Sequence, residues 1–155
     1  MNFSNKSILL LILIISIILR FFNYFEIPFT HDEFSAFFRL NFDNFSELIE
    51  KGVKIDAHPA GIHVLMYYWS KIFGYSEWII KLPFTIFGVV SIYLIYKIAK
   101  LWFNETVGLI SASYLATIQF TVIYSQIARP YISGMFFSLI MIYYWSLLIK
   151  KPDKN

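Results

Sequence analysis

Residues 106–128 read TVGLISASYLATIQFTVIYSQIA, 23 residues without one charge. A helix rises about 1.5 Å per residue and bilayer hydrocarbon is about 30 Å thick, so roughly 20 apolar residues suffice to cross it. This stretch is long enough, and the sequence around it repeats the pattern. Pro130–Ile149 supplies another 20 uncharged residues. Ser7–Phe25 is a third apolar run, interrupted by Arg20 and Asn23 near its far end. Leu82–Tyr96 has 15, and it reaches Phe103 if Lys97 and Lys100 extend their ammonium groups toward the headgroups. The chain therefore reads as an all-α membrane protein and a single membrane unit over 1–155, with spans near 7–25, 82–103, 106–128 and 130–149.

Composition agrees. The chain is 58% hydrophobic, 21% aromatic and 15% charged, against about 25% charged in an ordinary soluble domain. One small core cannot hide that much apolar surface. The absence of cysteine excludes disulfide scaffolds, thiol catalysis and Cys-based zinc sites. A net charge of +3 with no large basic cluster gives no footprint for nucleic acid. Lys6 and the apolar run 8–19 also fit a signal peptide, but Arg20-Phe21-Phe22-Asn23 stands where a small-residue cleavage site belongs.

Ala60–Tyr75 is apolar but short, and it carries Lys71. Ile62, Leu65, Met66, Trp69 and Phe73 share one helical face, and the tyrosines and tryptophans around them suit the water–lipid boundary. It reads as an amphipathic helix lying in the interface. The lysines then fall into order. Lys6, Lys97, Lys100, Lys150, Lys151 and Lys154 flank one side of four spans, which the positive-inside rule makes cytoplasmic along with both termini. The loop 26–81 and the turn Ser125–Arg129 face outward. The expected location is the cell (inner or plasma) membrane, multi-pass.

Eight of the ten acidic residues and all three histidines lie in that loop. Loops longer than about 15 residues are uncommon and usually functional. His31-Asp32-Glu33 follows the first span closely, and adjacent carboxylates there suit a general base or a hard-cation site. Asp32 and Glu33 equally fit a helix start, since Thr30-x-x-Glu33 has the form of a capping box. Asn44-x-x-Glu47 marks a second helix, with Gly52 placed to end it. His58, in Asp56-Ala57-His58-Pro59, suits a phosphate or a metal, or is simply a loop histidine before a helix. Arg129 is the only charge between Glu105 and Lys150. Its planar fork suits a phosphate, and an interfacial position suits lipid headgroups. Lys81-Leu82-Pro83 reads as a helix start with an anchoring lysine. Gly108, Ala112 and Ala116, and likewise Gly134 and Ser138, have the four-residue spacing of close helix packing.

In this order the motifs resemble integral-membrane glycosyltransferases of the GT-C fold, in the branch holding protein O-mannosyltransferases, aminoarabinose lipid A transferases and RgtA/B/C/D-like enzymes. The resemblance runs through His31-Asp32-Glu33, Asp56-Ala57-His58-Pro59-Ala60, Phe73-Gly74-Tyr75-Ser76-Glu77, Lys81-Leu82-Pro83 and Ser125-Gln126-Ile127-Ala128-Arg129-Pro130-Tyr131. It departs at Ala60, where the family usually has a second proline, and at Lys81, where it usually has arginine. It implies sugar transfer, with inversion, from a polyprenyl-phosphate carrier to a lipid, glycan or protein acceptor at the outer face. Asp32 is then the catalytic base with Glu33 beside it, and Arg129 holds the lipid phosphate. His58, Tyr131 and Lys81 complete the donor site. The one candidate cofactor is a divalent cation (Mg or Mn), for which Asp32, Glu33 and His58 are candidate ligands. Because such enzymes carry roughly ten or more spans, the resemblance implies the N-terminal part of a larger GT-C domain. The alternative is a non-catalytic membrane fragment or partner protein.

Overall fold

The structure, a computed structural model, describes residues 4–56 and 58–150. Within them the chain is helical, with α1 (Asn5–Phe21), α2 (His31–Phe38), α3 (Phe45–Glu47) running into a π-helical turn (Leu48–Val53), α4 (Ala60–Phe73), α5 (Glu77–Trp102), α6 (Glu105–Thr117), α7 (Gln119–Ser125) and α8 (Pro130–Ile149). No strand occurs among the described residues. α5 packs against α6 and α8, and α1 against α6. Loop residues 30–56 and α4 gather at the end of the bundle where α5 and α8 begin.

α5 and α8 are each long and apolar enough to cross a membrane, and α6 with α7 together make a third such length, bent by 60°. α1 has 17 residues, about 26 Å of rise, which is near the lower limit for a span. The protein is an all-α membrane protein.

The third span differs from a continuous 106–128 helix. It breaks at Ile118, whose extended backbone (ψ 123°) ends α6 and starts α7. A break frees carbonyls that lipid cannot satisfy. Arg20 of α1 takes them. Its guanidinium is wholly buried and donates to the carbonyl oxygens of Ala116 at 3.0 Å and Leu115 at 3.3 Å, to Ser125 Oγ at 3.1 Å, to Thr121 Oγ1 at 3.3 Å and to Ser16 Oγ at 3.0 Å. Partial negative charge at the end of α6 offsets the cation without a carboxylate partner. Gln126 closes the arrangement, donating from Nε2 to the carbonyls of Arg20 and Phe22 at 2.9 and 3.1 Å.

Pro83 lies inside α5, not at its start. The helix begins at Glu77 after Ser76. Proline has no N–H for the carbonyl four residues back. That carbonyl belongs to Ile79, and the indole N–H of Trp69 on α4 donates to it at 2.8 Å. The Tyr24 hydroxyl donates to the neighbouring carbonyl of Trp78 at 2.7 Å. Side chains from two other segments thus repair the interior proline and fix how α5 meets the loop.

Gly108, Ala112 and Ala116 do pack. A Cβ on Gly108 would lie 3.0 Å from the Tyr96 carbonyl, and both alanines are buried. Gly134 and Ser138 do not form such a face: both are exposed, and Gly134 has nothing within 4 Å of the position its Cβ would take. Gly52 likewise does not end its helix. It is buried inside the π-helical turn, against Phe42 and Leu48. The inner face of α4 carries Ile62, His63, Met66, Tyr67 and Ser70, rotated from the apolar stripe in the sequence, and Phe73 is exposed.

Candidate active site

Thr30 and Glu33 form the expected capping box. Glu33 N donates to Thr30 Oγ1 at 3.4 Å, and Thr30 N donates to Glu33 Oε2 at 2.8 Å. Glu33 does more than cap. It is buried, and its Oε1 accepts from the backbone N–H of Ala128 at 2.6 Å, next to Arg129. Lys81 Nζ lies 4.0 Å from the same oxygen and donates to the carbonyls of Ile27 and Pro28 at 2.9 and 3.0 Å. Glu33 and Lys81 together hold the start of α2 to the ends of α5 and α7. Asp32, one residue away, is exposed.

Arg129 caps α8 just before Pro130 and is 6% exposed. Its NH2 lies 2.8 Å from His58 Nε2 and 3.3 Å from Nδ1, while its Nε is buried without a partner. His58 Nδ1 lies 2.6 Å from Asp56 Oδ1. Asp56 in turn pairs with Arg39, at the end of α2, and His63 Nε2 lies 3.1 Å from its Oδ2. Desolvation and the charges of Arg129 and Arg39 hold His58 below the usual histidine range, and the charge of Asp32 pulls the other way. Burial pushes His63 down to about 4, with Arg39, His58 and Arg129 adding to the effect.

All six candidate residues therefore lie at one end of the bundle. Asp32, Glu33, His58 and Arg129 cluster where the loop meets α8, and Lys81 stands behind Glu33. Tyr131 is half-exposed and packs edge-on against Tyr124, with ring centroids 4.8 Å apart. Sequence reasoning did not place Arg39, Asp56 or His63 at the site, nor Arg20 beneath it. The Asp-x-His-Pro spacing was the only local signal for Asp56. Arg20 was visible only as a charge in a span.

The trio Asp32, Glu33 and His58 does not fit a metal ion. Both Glu33 oxygens are taken, and the two nitrogens of His58 face a carboxylate and a guanidinium. Among the described residues no group of three or more His, Asp or Glu side chains is arranged to hold one.

Beside the cluster runs a groove of about 450 Å³ between α4, α5 and α8. Ile62, Leu65, Phe87 and Phe137 form its walls, and Gly134 leaves its α8 side open. Its lining includes Pro59 and Pro130, the residues that follow His58 and Arg129. The volume is in the range of small-ligand sites.

The acids, histidines and Arg129 thus stand at one end of a helical membrane protein, next in sequence to the prolines that line an apolar groove. Residues 57–155 match the family model of dolichyl-phosphate-mannose-protein mannosyltransferases, and the chain belongs to that family. The matched region holds His58, Lys81, Arg129 and Tyr131, while Asp32 and Glu33 precede it. No curated protein and no solved structure matches the chain.

Proposed function

We propose that the chain transfers a sugar, with inversion, from a polyprenyl-phosphate carrier to an acceptor hydroxyl at the outer face of the cell membrane, with both termini in the cytoplasm. Family membership supports glycosyl transfer of the mannosyltransferase type. The observation that carries the finer reading is the apolar groove lined by Pro59 and Pro130, the residues that follow His58 and Arg129. An isoprenoid chain suits a groove with aliphatic and aromatic walls, and a phosphate suits a buried guanidinium whose Nε has no partner.

In this reading Asp32, the exposed carboxylate of the pair, takes the proton from the acceptor hydroxyl. The acceptor oxygen bonds to the anomeric carbon from the face opposite the leaving group. The bond from that carbon to the phosphate oxygen breaks, and Arg129 stabilises the charge gathering on the departing phosphate. Glu33 fixes the geometry by fastening Ala128, and so Arg129, to the start of α2. Lys81 acts on Glu33 and the 27–28 carbonyls, not on the phosphate.

Binding of undecaprenyl phosphate to the purified chain tests this. Arg129→Met is expected to weaken it by about tenfold or more, the size of a lost charged hydrogen bond. Gly134→Phe, which fills the groove, is expected to weaken binding of the long-chain lipid and leave a short-chain analogue unaffected. Unchanged affinity in both variants would remove the groove and Arg129 from the donor site.

A further inference from the structure

Two contacts meet on the imidazole of His58 and leave it one arrangement. On one side Nδ1 lies 2.6 Å from Asp56 Oδ1. A carboxylate paired with Arg39 is ionised and only accepts. Arg129 NH2 lies 2.8 Å from Nε2 and 3.3 Å from Nδ1, which places the guanidinium over the face of the ring. A guanidinium only donates. The Asp56 contact requires a proton on Nδ1, and a neutral ring is the form that can take the guanidinium against its face. The other neutral form would leave Asp56 facing a bare lone pair. The doubly protonated ring would set a second cation against Arg129.

We infer that Asp56 is a positioning residue for the donor phosphate: it fixes the ring of His58 through a protonated Nδ1, and the face of that ring holds Arg129 with its remaining N–H groups free for the phosphate. This rests on the reading of Arg129 as the phosphate ligand. Asp56 is built for the role. Its side chain is 5% exposed. The same Oδ1 accepts from the backbone N–H of His58 at 3.2 Å, so one oxygen fixes both the ring and its attachment to the chain. This is the local turn that an Asp two residues ahead makes, and Pro59 then keeps His58 extended. Its other oxygen faces Arg39 and lies 3.1 Å from His63 Nε2, so the carboxylate sits between the end of α2 and α4. The line Arg39–Asp56–His58–Arg129 joins the end of α2, the segment before α4 and the start of α8. The other charged or titratable groups facing it are Asp32 and His63.

The tautomer can be read directly. In the full chain, labelled with ¹⁵N-histidine and held in lipid nanodiscs without ligand, His58 is expected to show a protonated Nδ1 and an unprotonated Nε2 at neutral pH. A protonated Nε2, or averaged signals, would overturn the inference without touching the reading of Arg129. Asp56→Ala is expected to release the tautomer and weaken undecaprenyl phosphate binding by about tenfold. Asp56→Asn keeps an accepting oxygen and is expected to preserve both, which guards against a merely misfolded Ala variant. Coupling gives the second check. Asp56→Ala and His58→Ala together are expected to weaken binding no more than His58→Ala alone. Independent, multiplying losses would contradict the role assigned to Asp56, whereas wild-type binding in Arg129→Met would instead contradict the donor-site reading beneath it.

Discussion

His63 is fully buried on α4, near Asp56, with Arg39, His58 and Arg129 close enough to oppose its charging. Its pKa falls from 6.5 to about 4 on folding. Above 6.5 the ring is neutral in both states and costs nothing. As pH drops from 6.5 toward about 4, the unfolded chain takes up a proton that the folded chain refuses, so stability declines. Below about 4 both states are protonated and the decline from this group ends. Thermal unfolding in detergent is expected to show a melting temperature lower at pH 5 than at pH 7, with a smaller difference in His63→Leu. An equal difference in the two proteins would mean that His63 is not the group responsible. Residues of this kind divide by what the sequence displays. The capping role of Glu33 was legible because both partners sit within four residues. Its bond to Ala128 crosses 95 residues and leaves no local trace. Asp32 and Glu33 looked alike in the sequence, and only the fold makes one structural and the other free.

At the scale of elements, apolar length located α5 and α8 well and misjudged where the helices bend. Pro83 read as a start, because an interior proline is normally excluded. It is tolerated here because Trp69 and Tyr24, remote in sequence, take up the carbonyls around it. The uncharged run 106–128 gave no hint of a break, since Ile118 is an unremarkable span residue. The break is specified from outside by Arg20. Gly88 makes that possible. A Cβ there would lie 2.1 Å from Ser125 Oγ and 3.0 Å from Arg20 Nε. Gly88→Ala is expected to destabilise the fold by about 1–3 kcal/mol, the usual cost of overpacking, whereas Gly134→Ala, with nothing within 4 Å, should be close to neutral. Melting temperatures of the two variants decide it, and a stable Gly88→Ala protein would show that α5 and α7 can separate at no cost.

For the whole molecule, the membrane character was evident from composition. The gathering of acids, histidines and Arg129 at one end followed from their places between the spans. The groove was not legible, because its walls come from α4, α5 and α8 and its opening depends on a glycine that read as packing. The lysines predict an orientation in the membrane. An impermeant amine reagent applied to intact cells is expected to label Lys54 in the loop and to spare Lys97. Labelling of Lys97 from outside would invert or redraw the topology. The full chain, reconstituted with a radiolabelled polyprenyl-phosphate sugar and acceptor, is expected to move the label. Asp32→Asn should abolish that movement while membrane insertion and undecaprenyl phosphate binding persist. Transfer by Asp32→Asn at the wild-type rate would contradict the assignment of the base, and a wild-type chain that binds the lipid yet moves no sugar would contradict the enzymatic reading as a whole.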